Sequence, residues 1–218
     1  MSPTIIAISG KMKSGKDELA KSLISNFQYE KMLFADKLKK AVAIIHGWNY
    51  SDLEDQEFKA RIDPFWGYTP RQALQIFGSE TMKRAYPKYM NKLLKRDCGL
   101  KNRTWTKCLE KDIANSPFTK IVITDMRFKS EMESLLNMRA RGYKVVLIRI
   151  NASYKKFAST VSKNPIIRFF ELLVEKQHIS EYDLDYEDRW DFVIENDSTI
   201  EEYQKKIKEV ALKIHRGC

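Results

Sequence analysis

The chain has 218 residues, 43% of them hydrophobic, which suits one α/β domain with an insertion and a sizeable core and disfavours two independent domains. Basic residues number 39 against 29 acidic, and the resulting +10 calls for an anionic partner, with the scatter of Lys and Arg favouring small phosphorylated molecules over a nucleic-acid track. No apolar run approaches the ~20 residues of a membrane span, and Cys98, Cys108 and Cys218, an odd set without metal spacing, read as reduced thiols.

Residues 4–8 form an apolar run that predicts the first strand. Its early start leaves no room for a secretory leader, so a cytoplasmic location is expected, in the host cytoplasm for a viral chain. Ser9-Gly10-Lys11-Met12-Lys13-Ser14-Gly15-Lys16-Asp17 follows at once. Two glycines bracket four residues and a lysine comes next, which is the spacing of a loop that wraps nucleotide phosphates with backbone N–H groups. Gly10, Lys11, Lys13, Ser14, Gly15, Lys16 and Asp17 are therefore the expected nucleotide-binding residues. Leu19, Ala20, Leu23, Ile24 and Phe27 then share one helical face, so the positive end of a helix would meet the phosphates. Asp17 stands where the pattern has a metal-binding hydroxyl; a carboxylate there can hold Mg²⁺ directly or through water.

A second strand is expected over 31–34, then a helix with Leu38, Val42 and Ile45 inward, ending at Gly47. Asp36 and Lys37 fall at this strand-to-helix junction, where ligands bind in open α/β sheets; a plain helix cap is the other reading of Asp36. Between 48 and 68 only a helix near 52–59 is legible. Thr69 as N-cap and Pro70 at the first helical position open a helix with Ala73, Leu74, Phe77 and Thr81 inward. Arg71 sits in its first turn, unfavourable to the helix dipole unless it faces an anion, or else is simply solvated. Pro87 should break this helix and open another to Arg96, and 105–114 is helical, so 35–115 reads as an inserted helical block.

The β-branched run 119–124 predicts a buried parallel strand. At its C-terminal end, Asp125 suits a metal contact and Arg127 a phosphate, with a structural ion pair between them as the alternative. A helix over 128–141 should bury Met132, Leu135 and Leu136, and a strand follows over 144–150. The basic segment 151–177, with Arg168, is either a mobile lid over the transferring group or a solvated helical hairpin. A last strand over 190–195 and a capped helix with Ile200, Tyr203, Ile207, Val210 and Ile214 on one face close the chain. The fold class is α/β: a three-layer α/β/α domain with a phosphate-binding loop, a mostly parallel sheet and a helical insertion.

Taken in order, Ser9 to Asp17 with its Gly-Lys-Asp ending, Phe34-Ala35-Asp36-Lys37-Leu38-Lys39, Thr69-Pro70-Arg71 with Phe77-Gly78-Ser79-Glu80, Asp125-Met126-Arg127, His178-Ile179-Ser180-Glu181 and Ile194-Glu195-Asn196-Asp197 resemble the deoxynucleoside monophosphate kinases of tailed phages and large viruses. Animal-type phosphomevalonate kinase is similar in its loop, its Asp-x-Arg and its closing segment, but not in residues 69–80. The resemblance implies a P-loop kinase-like fold, ATP and Mg²⁺ as cofactors and a deoxynucleoside monophosphate as acceptor. It further implies that Asp36, Lys37, Arg71, Arg127, Glu131, His178 and Glu181 face the acceptor, and that Asn196 lies near the adenine. A homodimer is left open, and the lack of a long apolar run leads to no membrane partner being expected. The alternatives are phosphomevalonate kinase and a P-loop ATPase that binds nucleic acid, for which neither a water-orienting residue nor a basic track is evident.

Overall fold

The computed structural model of the protein describes residues 3–11, 13–152 and 183–216. Its strands are β1 (Thr4–Gly10), β2 (Glu30–Met32), β3 (Lys120–Ile123), β4 (Lys144–Ala152) and β5 (Phe192–Asn196). Its helices are α1 (Lys16–Phe27), α2 (Asp36–His46), α3 (Gln56–Ala60), α4 (Pro70–Gln75), α5 (Tyr86–Leu94), α6 (Thr104–Ala114), α7 (Lys129–Ala140) and α8 (Ile200–Arg216). Two compact units result, one from the described residues of Met1–Met32 and Pro117–Cys218, the other from Leu33–Ser116.

In the first unit the five strands form one sheet in the order β2-β3-β1-β4-β5, and every pairing is parallel. Strand β1 lies at the switch point, with β3 on one side and β4 on the other, so the crevice at its C-terminal end is where such a sheet receives ligands. Ile5, Ile6, Ala7 and Ile8 are all fully buried, as parallel strands covered on both faces require. On one face Ile6, Ile8, Val122, Val146, Ile148 and Ile150 pack with Leu19 and Leu23 of α1 and with Tyr203, Ile207, Ala211 and Ile214 of α8. The alternate residues Ile5, Ala7, Ile121, Ile123 and Leu147 serve the opposite face, and α7 packs on β4 with Met132, Leu135 and Met138 buried. The three layers are thus helix, sheet and helix.

Several boundaries and faces differ from expectation. Strand β2 ends at Met32 because residues 33–35 turn into α2, with Asp36 N donating to Leu33 O. In α7, Met138 takes the inward place expected of Leu136, which is half-buried. In α8 the buried stripe runs through Tyr203, Ile207, Ala211 and Ile214; Ile200 precedes it in the first turn and is 70% exposed, and Val210 is half-buried beside Ala211.

The second unit is helical throughout. The single helix expected over 52–59 is a 3₁₀ turn (Ser51–Glu54) and the short α3, divided by the extended backbone of Asp55, whose Oδ1 caps α3 by accepting from Phe58 N at 2.6 Å. Thr69 caps α4 reciprocally with Gln72, and Pro70 opens it, as expected. The helix does not break at Pro87. A π-helical segment (Ile76–Ala85) joins α4 to α5, so its hydrogen bonds reach five residues back and the inward face shifts. Gly78 is buried against Leu38 while Thr81 is exposed, and carbonyls of this wide turn accept from α6 side chains, Gly78 O from Trp105 Nε1 (3.0 Å) and Met82 O from Thr104 Oγ1 (2.6 Å). Residues 48–68 hold an aromatic cluster: His46 stacks on Trp48 at 4.3 Å and bonds Tyr68 Oη at 2.9 Å. Asp63 accepts from Trp48 Nε1 and from the Trp66 and Phe65 amides, which holds its carboxyl below the usual range, the Trp48 bond contributing most.

Candidate active site

The loop between β1 and α1 is built around positions that only glycine can fill. Gly15 has φ +99°, and a Cβ there would lie 2.8 Å from the Tyr203 ring and 2.9 Å from Asn196 Nδ2. A Cβ on Gly10 would lie 2.6 Å from both Ile150 O and Ser14 Oγ. The loop therefore closes tightly on β4 at one end and on the β5–α8 segment at the other. Lys13, also exposed, takes φ 62°, a left-handed backbone that ordinary side chains rarely adopt and that functional loops often hold.

Inside the loop Ser14 N donates to Lys11 O at 3.2 Å, and Lys16 Nζ donates to the same carbonyl at 2.7 Å, so the lysine folds back across the loop from the first turn of α1. Asn196 Nδ2 donates to Ser14 O at 3.0 Å, and Tyr203 Oη donates to Gly15 O at 2.9 Å. Burial, with a smaller contribution from Glu18, pushes the Tyr203 phenol above its ordinary range and keeps it a donor. Tyr203 was legible only as a core residue; its role as a clamp on the loop depends on a contact across most of the chain.

Ser14 is buried, and its hydroxyl has no hydrogen-bond partner among the described residues. A buried polar atom left this way costs about 1–3 kcal/mol, which an anion in the loop can offset. Glycines without room for a Cβ, a folded-back lysine and an orphan hydroxyl at a helix N-terminus together fit a bound phosphate chain. Asp17 is exposed in the first turn of α1 and Asp125 is half-buried just beyond β3. Among the described residues no three His, Cys, Asp or Glu side chains group together, so these residues offer no complete metal cage. Mg²⁺ does not need one, since it is held by one or two carboxylates together with phosphate oxygens and waters.

Beside the loop lies a small polar cleft lined by Ser9, Gly10, Lys11, Met126, Arg127, Arg149 and Leu184. Arg127 is exposed on the turn between β3 and α7. Glu131 shapes that turn: it is buried, and its Oε2 accepts from Arg127 N at 2.7 Å and Phe128 N at 3.0 Å. Arg149, which sequence reasoning did not single out because it lies within a strand, sends Nη1 to Ser9 Oγ (3.2 Å) and Nη2 to Asp185 Oδ1 (2.6 Å).

Among the residues expected at the site, the first unit brings together the loop, Asn196 and Arg127. Asp36, Lys37 and Arg71 belong to the second unit. There Asp36 is inside the first turn of α2 rather than its cap, accepting from Tyr50 Oη at 2.8 Å and pairing with Lys40. Lys37 pairs with Asp112 at 2.5 Å, and Arg71 is exposed with Nη2 donating to Gln56 Oε1 at 3.1 Å. Arg168, His178 and Glu181, with all of the expected lid beyond Ala152, lie outside the described residues.

Loop, parallel sheet and helical layers define a three-layer α/β protein with a P-loop-like turn between β1 and α1. No protein-family model matches the chain. It is 28% identical over 205 residues to a protein of Acanthamoeba polyphaga mimivirus named "Putative deoxynucleotide monophosphate kinase", the match covering 93% of each chain. Among solved structures it is similar to TT1252 from Thermus thermophilus (17% identity, 98% of each chain, TM-score 0.44) and to dephospho-CoA kinase from Campylobacter jejuni (15% identity, 98% of each chain, TM-score 0.48).

Proposed function

We propose that the protein is a phosphotransferase that moves the γ-phosphoryl group of Mg-ATP to the phosphate of a deoxynucleoside monophosphate, releasing ADP and the deoxynucleoside diphosphate. The observation that carries this reading is the adjacency of two anion-binding features, for the nucleotide loop and the basic cleft share Gly10 and Lys11. A nucleotide hydrolase needs only the first; a kinase with an anionic acceptor needs both. The acceptor class follows from the name of the mimiviral relative and from the motif resemblance.

Lys16 and the loop N–H groups hold the β- and γ-phosphates, with the Ser14 hydroxyl available to them. Asp17 and Asp125 are the carboxylates for Mg²⁺, which when bound neutralises charge on the phosphates. Arg127, on the turn that Glu131 fixes, offers the acceptor phosphate a planar fork of donors. That phosphate is largely dianionic near neutral pH, its second pKa being about 6, so no general base is needed. An acceptor oxygen attacks the γ-phosphorus, the bond to the β,γ-bridging oxygen breaks, and ADP leaves with the electron pair. Catalysis then consists of holding two anions in line and screening their repulsion. Asp36, Lys37, Arg71, His178 and Glu181 as acceptor ligands, Arg168 as a lid cation and Asn196 near the adenine extend the proposal on resemblance alone.

The reading is tested by following ADP formation with a panel of deoxynucleoside monophosphates, phosphomevalonate and DNA. At least one deoxynucleoside monophosphate should accelerate ADP formation well above the rate without acceptor. Acceleration by phosphomevalonate alone, or by DNA alone, would replace the acceptor class.

A further inference from the structure

Arg149 lies opposite Ser9 in the register of β4 against β1, and its side chain is only 12% exposed. It shares a counter-ion with the nucleotide loop. Asp185 Oδ1 accepts from Arg149 Nη2 at 2.6 Å, while Asp185 Oδ2 pairs with Lys11 Nζ at 3.1 Å. One carboxylate thus bridges two cations with one oxygen each, as two oxygens of a phosphate would. Asp185 reaches in from a turn that is anchored at its neighbours: Leu184 is buried, and Asp183 Oδ2 accepts from Lys129 N at 2.6 Å. The side chain of Asp185 can therefore rotate out while the turn stays in place.

We propose that Lys11 and Arg149 form the inner end of the acceptor-phosphate site, and that Asp185 is a resident counter-ion which the phosphate displaces and which thereby sets acceptor affinity. The identity of the anion as a phosphate monoester rests on the kinase reading above; the anion site itself does not. Lys11 and a largely desolvated Arg149 repel each other when no anion lies between them, so a carboxylate holds them poised before substrate arrives. A dianion with three terminal oxygens can engage both cations and Arg127 together, which a single carboxylate cannot. The Ser9 hydroxyl accepts from Arg149 and so keeps its own proton for the incoming anion.

The test is calorimetric titration of inorganic phosphate into the wild type, Asp185→Asn, Arg149→Gln and the double variant. Asn preserves the size of the side chain and removes the competing charge, and the smaller Asp185→Ser serves as a second version. Both should bind phosphate about tenfold more tightly than the wild type, the order expected when one nearby like charge is removed from a partly exposed site. Arg149→Gln should abolish that gain in the double variant, whereas phosphate held only by the nucleotide loop would be indifferent to it. In turnover, Asp185→Asn should lower KM for the monophosphate by a larger factor than KM for ATP. Unaltered or weaker phosphate binding in Asp185→Asn and Asp185→Ser, or a gain that survives Arg149→Gln, overturns the proposal. Tighter phosphate binding in a protein that phosphorylates no monophosphate would uphold the site and refute the kinase reading.

Discussion

In the proposed phosphoryl transfer Lys16 carries the most weight, because its ammonium already lies within the loop, donating to Lys11 O. Lys16→Ala should lower kcat by about 10²-fold or more, since a cation aimed at developing charge is worth several kcal/mol. The unfolding midpoint should hardly move, and near-normal turnover in the variant would remove the loop from the mechanism. Asp17 is exposed and in the first turn of α1, so Asp17→Asn should raise the Mg²⁺ concentration needed for half-maximal rate more than it raises KM for the acceptor. A metal titration identical to wild type would reduce Asp17 to a helix-start residue. The loop was legible in the sequence because Gly10, Gly15 and Lys16, at fixed spacing after an apolar run, determine it through backbone geometry and charge alone. Arg149 and Asp185 were not, because an arginine inside a strand and an aspartate in a turn acquire meaning only when residues 36 positions apart form an ion pair.

At the scale of elements, the end of β5 and the start of α8 form the outer wall of the loop. Asn196 holds Ser14 O and Tyr203 holds Gly15 O, while Ile207, Ala211 and Ile214 pack α8 onto the face shared with α1. Tyr203→Phe removes one buried hydrogen bond and keeps the ring, so stability should fall by only about 0.5–1.5 kcal/mol. Gly15 O still accepts from Glu18 N, which limits the loss. Because the carbonyl that loses this bond belongs to the loop, KM for ATP should rise several-fold while KM for the acceptor stays constant. An unchanged KM for ATP in steady-state kinetics would make the clamp purely structural. Strand and helix order were readable from β-branched runs and helical spacing, and the parallel sheet followed from them. The π-helical segment was not, since its carbonyls at Gly78 and Met82 accept from Trp105 and Thr104 of α6, tertiary contacts that sequence spacing around Thr81 and Pro87 does not carry.

At the scale of the whole molecule the +10 charge has to be reconciled with the small-anion substrate proposed above. A protein of this charge will touch any polyanion, but through counter-ion release alone, so a 20-mer DNA should bind only with a Kd of about 10⁻⁴ to 10⁻⁶ M at ~150 mM salt and without sequence preference. Tight, sequence-dependent retention in a filter or anisotropy assay under those conditions would return nucleic acid to the centre of the function. The helices α2, α4 and α6 were readable from helical spacing and from the Thr69-Pro70 start, whereas the internal order of 48–68 was hidden because His46 and Asp63 organise it through contacts with no local period. The central claim, transfer rather than hydrolysis, is tested most directly by incubating the protein with γ-labelled ATP, Mg²⁺ and each deoxynucleoside monophosphate and separating the products. The label should appear in a deoxynucleoside diphosphate, in step with ADP, and should fail to appear with Lys16→Ala. Label released only as inorganic phosphate, whatever monophosphate is present, would contradict it.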